Sequence, residues 1–304
     1  MAQFRLEGFA VVVGAAGGIG RETAYTFAEA GVKGVLLADI NSKGAAEAAE
    51  KTKTLAVNPE FQCLSTSVDV ADAASVDAMV KLAIEHFGRI DYCINAFGVS
   101  SHNLGTQHVH FFWKQKQSAD GEMPQVDVAS YVPFDQTDPD DYDRVMGINS
   151  KAVFLVTRAV GKVMRSQEPV TVSLGRHGSR DAGRGSIVNV SSAMALVAVP
   201  AKAPYTTSKH AVTGITKAAA IDLKGAGIRV NQVCPTWVRT PMYEEECRRI
   251  PQTPEFLKKL SSLDRPIEPD EVASACLYLC SPTTMSINAL TLTMDTGLTA
   301  GVTI

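Results

Sequence analysis

The stretch VVVGAAGGIGRETA, residues 11–24, joins a β-branched apolar run to a helical pattern through a cluster of glycines. Val, Ile and Leu runs with little polar alternation suit a strand buried on both faces. Gly14, Gly18 and Gly20 stand in the spacing G-x-x-x-G-x-G. Glycines in such a turn let the backbone approach a diphosphate closely, and the opening helix turns its free N–H groups toward the anion. A glycine cluster alone is as well explained by a tight turn. The strand–turn–helix context is what favours the phosphate reading.

The same alternation continues along the chain. Further strands are expected at 34–40, 61–70, 90–98, 185–192, 228–235 and 289–295. Helical patterns occupy 45–56, 74–88, 139–166, the region from Tyr205 to about 227, and 269–282. Regular strand–helix alternation predicts an α/β fold: a doubly wound parallel seven-stranded sheet between helical layers. No repeat or composition break divides the chain, so residues 1–304 are expected to form one domain. Two segments break the rhythm, at about 99–133 and 166–184. Ligands bind beyond the carboxyl ends of such strands. The first segment leaves a carboxyl end, so it is expected on the substrate side. The second enters an amino end and is expected on the far side.

Composition narrows the classes. Of the residues, 45% are apolar and 20% charged, within the range of soluble globular chains. A formal net charge of -3 provides no basic field for nucleic acid or an anionic membrane. No apolar stretch reaches the ~18 residues of a membrane span, and the N-terminus lacks the pattern of a signal peptide. Six cysteines without a C-x-x-C pair suit a reducing, cytoplasmic setting. Cys276 and Cys280 share a helical face, and His102, His108 and His110 lie in one loop, but neither set has metal-site spacing, so no metal is expected.

Residues 203–212, APYTTSKHAV, place Tyr205 and Lys209 four apart. On a helix the two share a face, and a nearby cation favours phenolate over phenol. Such a pair can serve as an acid/base device or be a half-exposed helix face. Asp39 ends the second strand, 19 residues after Gly20, where a carboxylate can accept from ribose hydroxyls and would repel a 2′-phosphate. It could equally cap the next helix. This position favours NAD over NADP.

Taken together, these motifs resemble the short-chain dehydrogenase/reductase family over nearly the whole chain outside the two insertions. The glycine spacing matches its T-G-x-x-x-G-x-G, with Val13 in place of threonine. INAFG at 94–98 is similar to its N-N-A-G element, keeping Asn95 and Gly98 but carrying Ile94 and Phe97. CPTWVRTPM resembles its P-G-x-V-x-T segment, with Thr236 for glycine and Pro235, Val238 and Thr240 retained. The resemblance implies a Rossmann fold and a catalytic set of Asn149, Ser192, Tyr205 and Lys209, Ser192 standing 13 residues before Tyr205. It implies that Tyr205 exchanges a proton with the substrate oxygen and that Ser192 hydrogen-bonds that oxygen. Lys209 would hold the nicotinamide ribose, and Asn149 would hold a relay water. Cofactor contacts are implied at Gly14, Gly18, Ile19, Gly20, Asp39, Ile40, Asp69, Val70, Asn95, Gly98, Tyr205, Lys209, Pro235, Val238 and Thr240. The family often forms dimers or tetramers, so a homo-oligomer is expected.

HVHFFW (108–113), with Met194, Leu196, Val197, Trp237, Met242 and Tyr243, suggests a pocket for a bulky, largely apolar alcohol or ketone such as a terpenoid, polyketide or steroid-like compound. The aromatic loop residues could equally fasten the loop to the body. Two alternatives stay open: the same fold doing non-redox isomerisation or cyclisation, kept alive by Val13, Phe97 and Thr236, and a non-catalytic NAD-binding scaffold.

Overall fold

The computed structural model describes residues 6–101 and 132–301. Seven parallel strands form the central sheet: β1 (Phe9–Val13), β2 (Gly34–Asp39), β3 (Gln62–Ser67), β4 (Tyr92–Asn95), β7 (Gly185–Val190), β8 (Ile228–Pro235) and β9 (Thr291–Met294). Their order across the sheet is β3-β2-β1-β4-β7-β8-β9. The seven-stranded parallel sheet expected from the sequence is therefore present. The order reverses between β1 and β4, which opens a crevice beyond their carboxyl ends.

Residues alternate across the sheet and feed two cores. Val12, Leu37, Ile94 and Val188 face one layer and pack with Phe27 of α1 (Gly18–Glu29), Ala48 of α2 (Ser42–Leu55) and Leu279 of α9 (Pro269–Cys280). Their neighbours Val11, Leu36, Cys93 and Ile187 face the other layer. There they meet Met79 of α3 (Ala73–Phe87), Val156 and Met164 of α5 (Ala152–Ser166), and Ala220 of α6 (Ala203–Leu223). Each buried Leu, Ile, Val or Phe contributes about 1.5–3 kcal/mol against exposure, so these two layers hold the sheet rigid beneath the crevice.

The single helix expected over 139–166 is divided. α4 (Pro139–Met146) ends in one turn of π-helix, Gly147–Lys151, before α5 begins. The apolar period looks continuous in the sequence because a π turn inserts one residue without changing composition. Residues 166–184 also differ from an unstructured loop. β5 (Thr171–Ser173) and β6 (Ser179–Asp181) form a small antiparallel hairpin. It returns to the body just before β7, where Arg184 N donates to Gly227 O over 2.8 Å. Two helices had no counterpart in the sequence reading: α7 (Pro241–Arg249) and α8 (Thr253–Leu260). Among the described residues no helix is long and apolar enough to cross a membrane. The histidines and aromatics of 102–113, and most of the insertion expected at 99–133, lie outside the described residues.

Candidate active site

The turn after β1 is shaped by contact distance. Gly14 has φ +85, and a Cβ there would lie 2.7 Å from Ala96 O. A Cβ on Gly20 would lie 2.1 Å from Gly14 O, so α1 packs directly on the turn. The N-cap of α1, Gly17, has no side-chain cap, and a Cβ built there meets nothing within 4 Å. Gly17, Gly18 and Ile19 thus present uncapped helix N–H groups to open space, a cradle that fits a dinucleotide diphosphate.

That space belongs to a cleft of about 260 Å³ along the carboxyl ends of β1, β4, β7 and β8. Each strand delivers the residues that follow it: Gly17 to Ile19, Ala96 to Gly98, Ser191 and Ser192, and Pro235 to Val238. Tyr205 and Lys209 enter from α6. Lys209 is 4% exposed, and its Nζ donates to Val190 O at 3.3 Å and lies 5.5 Å from the centre of the Tyr205 ring. An ammonium within ~6 Å of an aromatic ring is attracted to its face. A tie to the end of β7 fixes where this one stands.

Ser192 is buried, with extended backbone, and its Oγ accepts from Met194 N at 3.2 Å. It caps the short turn Ala193–Ala195, yet its hydroxyl hydrogen can still be donated into the cleft. Asn149, fully buried, is placed by the π turn. Its Oδ1 accepts from Val99 N at 2.8 Å, and its Nδ2 donates to Val99 O at 2.8 Å and Ser208 Oγ at 3.1 Å. Both amide hydrogens are therefore committed. The side chain braces the exit from β4 against α6. Ser208 Oγ in turn donates to Tyr205 O at 2.7 Å, which links the brace to the tyrosine's own turn. A Cβ on Gly98 would lie 3.2 Å from Asn149 Oδ1 and 3.6 Å from Lys209 Nζ, so this glycine lets three of the expected residues meet.

The remaining expected residues divide. Gly18, Ile19, Gly98, Pro235, Val238 and Thr240 line the cleft. Thr240 also caps α7, accepting from Tyr243 N. Thr236, where the family carries glycine, has no positive φ, so the turn holds it without backbone strain. Gly14 and Gly20 shape the turn from beneath. Asp39 sits beside it: Oδ2 accepts from Ala16 N at 3.0 Å and Oδ1 from Asn41 N at 2.9 Å. The cap of α2 is Asn41, not Asp39. Ile40 is 73% exposed next to it, and Asp69 and Val70 follow β3, with Asp69 exposed and Val70 half-buried. Asn95 is not brought into the cleft by its side chain. It is 1% exposed, and its Nδ2 donates to Asn189 Oδ1 at 2.8 Å and Thr157 Oγ1 at 3.3 Å, tying β4 to β7 and α5.

Behind the site, burial pushes the Cys234 thiol up to about 11, against the pull of Lys209. Sequence reasoning missed Lys202 and Glu246, both cleft-lining and joined at 2.9 Å. They are 44 positions apart and carry no local signal. Among the described residues no cluster of three or more metal-ligating side chains occurs.

Cradle and phenol–ammonium pair open into one cleft, which places the molecule among the dinucleotide-dependent oxidoreductases of the doubly wound class. The short chain dehydrogenase family profile matches residues 8–250, and the chain belongs to that family. It is 35% identical over 296 residues to short-chain dehydrogenase anuF of Penicillium roqueforti, covering 97% of each chain. The crystal structure of levodione reductase superposes with a TM-score of 0.78 at 27% identity, over 97% of this chain and 98% of that one. A gluconate 5-dehydrogenase from Burkholderia cenocepacia, solved with NADP and tartrate, gives a TM-score of 0.76 at 26% identity, over 99% of this chain and 98% of that one. The protein is an oxidoreductase of CH–OH groups that works with a nicotinamide cofactor and interconverts alcohols and ketones.

Proposed function

We propose that the protein is an NAD-preferring dehydrogenase/reductase of a bulky, largely apolar secondary alcohol or ketone. The observation that carries this reading is the seating of Tyr205 and Lys209 in the cleft, with the ammonium 5.5 Å from the phenol ring. When bound, the dinucleotide supplies the hydride carrier. Tyr205 then gives a proton to, or takes one from, the substrate oxygen. The Ser192 hydroxyl donates to the same oxygen and steadies its developing charge. Lys209, tied to Val190 O beside the phenol ring, would hold the nicotinamide ribose, and Asn149 keeps this set in register through Val99 and Ser208.

Preference for NAD is supported by Asp39, whose carboxylate closes β2 next to the glycine turn and is bonded to it at Ala16. A 2′-phosphate there would meet a negative charge. NADP in the gluconate 5-dehydrogenase crystal points the other way for that protein. The apolar substrate is supported by Phe97, Met194, Val199, Trp237 and Met242, which line the cleft. Phe154 and Ile221, half exposed on α5 and α6, favour burial against another copy, a dimer or tetramer. Six unpaired cysteines favour a cytoplasmic setting.

A screen of alcohols and ketones with NAD(H) and NADP(H), followed at the nicotinamide absorbance band, tests the reading. Turnover of cyclic or aryl ketones, faster with NADH, is expected. Dinucleotide binding with no absorbance change on any substrate would instead favour the scaffold alternative.

A further inference from the structure

Inside the cleft lies an ion pair that the hydride-transfer reading does not use. Lys202, the residue before α6, stands three positions ahead of Tyr205; Glu246 comes from α7. Lys202 Nζ donates to Glu246 Oε1 at 2.9 Å, and Trp237 Nε1 donates to the same oxygen at 3.3 Å. All three side chains line the cleft together with Tyr205. The two charged side chains are 15% and 16% exposed, largely secluded from solvent, as in Arg89–Asp91 at 27% and 9%, whereas Lys43–Glu47 on α2 is 87% and 69% exposed.

Seclusion gives the pair a consequence for substrate choice. A molecule seated in the cleft strips the remaining water from the ammonium and the carboxylate. A hydrocarbon surface offers neither group a replacement for that water. A carboxylate on the substrate would be drawn to Lys202 and repelled by Glu246. A hydroxyl accepts from an ammonium and donates to a carboxylate, so it replaces the lost water on both sides. We propose that the Lys202–Glu246 pair, steadied by Trp237, is a specificity-determining subsite for a neutral hydroxyl or phenol carried by the substrate in addition to its reacting carbonyl. The inference rests on the proposed reductase activity and narrows its substrate class from apolar ketones to hydroxylated ones.

Tetralone and a set of ring-hydroxylated tetralones, reduced with NADH, provide the test. In the wild type at least one hydroxytetralone is expected to exceed tetralone in kcat/KM by about tenfold or more, chiefly through KM, because a site built around polar groups rejects the analogue that leaves them unpaired. In Lys202→Met/Glu246→Leu that ratio is expected to fall toward one. Where the double variant does not fold, Glu246→Gln keeps the shape and removes the charge, and its ratio is expected to narrow by about threefold or more. An unchanged ratio in the variants would show a latch that merely fastens α7, and would overturn the subsite. So would a wild type that reduces all members equally. A wild type that reduces other ketones of the wider screen but none of the tetralones would overturn this inference alone, and one that reduces no ketone of that screen would overturn the reading on which it rests.

Discussion

Asp39 puts one carboxylate to two uses at the residue scale. It bonds the backbone of the glycine turn at Ala16 and that of Asn41, and it leaves a negative charge at the end of β2. Asp39→Asn keeps an acceptor oxygen and removes the charge, so it separates the two. The ratio of kcat/KM for NAD over NADP is expected to fall by about tenfold, equivalent to ~1.4 kcal/mol of discrimination. An unchanged ratio would locate cofactor choice elsewhere. Residues of this kind were legible in the sequence because their chemistry fixes both type and spacing: a glycine where a Cβ would strike backbone at 2.1 Å, a tyrosine one turn from a lysine. Lys202 and Glu246 were not. Their meeting depends on how α7 folds back over α6, and no local pattern encodes a contact 44 residues apart. Asn95 was legible as a motif residue but not in its bonding. The motif carried its identity, while its side chain serves the sheet interior through Asn189 and Thr157.

At the scale of elements, the π turn between α4 and α5 matters most. It rotates Asn149 toward the exit of β4, where one side chain satisfies both polar groups of Val99 and reaches Ser208. Asn149→Ala leaves these groups without their partner at a cost of about 1–3 kcal/mol for each buried group stranded. Urea unfolding is expected to show a loss of that order, accompanied by lower kcat because Val99 and Ser208, the neighbours of Gly98 and Lys209, lose their common brace. A variant with both its midpoint and its kcat unchanged would contradict the bracing role. The turn escaped the sequence reading because the apolar stripe runs on either side of it. α7 and α8 escaped for another reason. Both carry end signals, a proline at the start and paired basic residues at the close, but each is too short for an apolar period to show.

Across the whole molecule, the two apolar layers also bury thiols. Burial pushes Cys63 and Cys280 up to about 12 and Cys234 up to about 11, and raises Cys93 and Cys276 as well. Unfolded thiols ionise near ~8.5, so the folded chain holds these protons over a window in which the unfolded chain has lost them. Their contribution to stability is complete below ~8.5 and is lost as pH rises through the folded values near 11 and 12. The melting temperature is expected to fall as pH climbs from ~9 to ~11, and native protein at pH ~8 should be alkylated at Cys63 and Cys247 at most. A flat melting profile across that range, or rapid labelling of all six thiols, would contradict the packing described.

The claim on which the account turns is that Tyr205 passes the proton in hydride transfer, with Lys209 beside it in the cleft. Tyr205→Phe keeps the ring and removes the hydroxyl, so its steady-state kcat, followed at the nicotinamide absorbance band alongside a dinucleotide-binding titration, is the most direct measurement. The predicted result is a kcat lower by about 10²–10⁴-fold with dinucleotide binding retained. Near-wild-type turnover by the variant would contradict it.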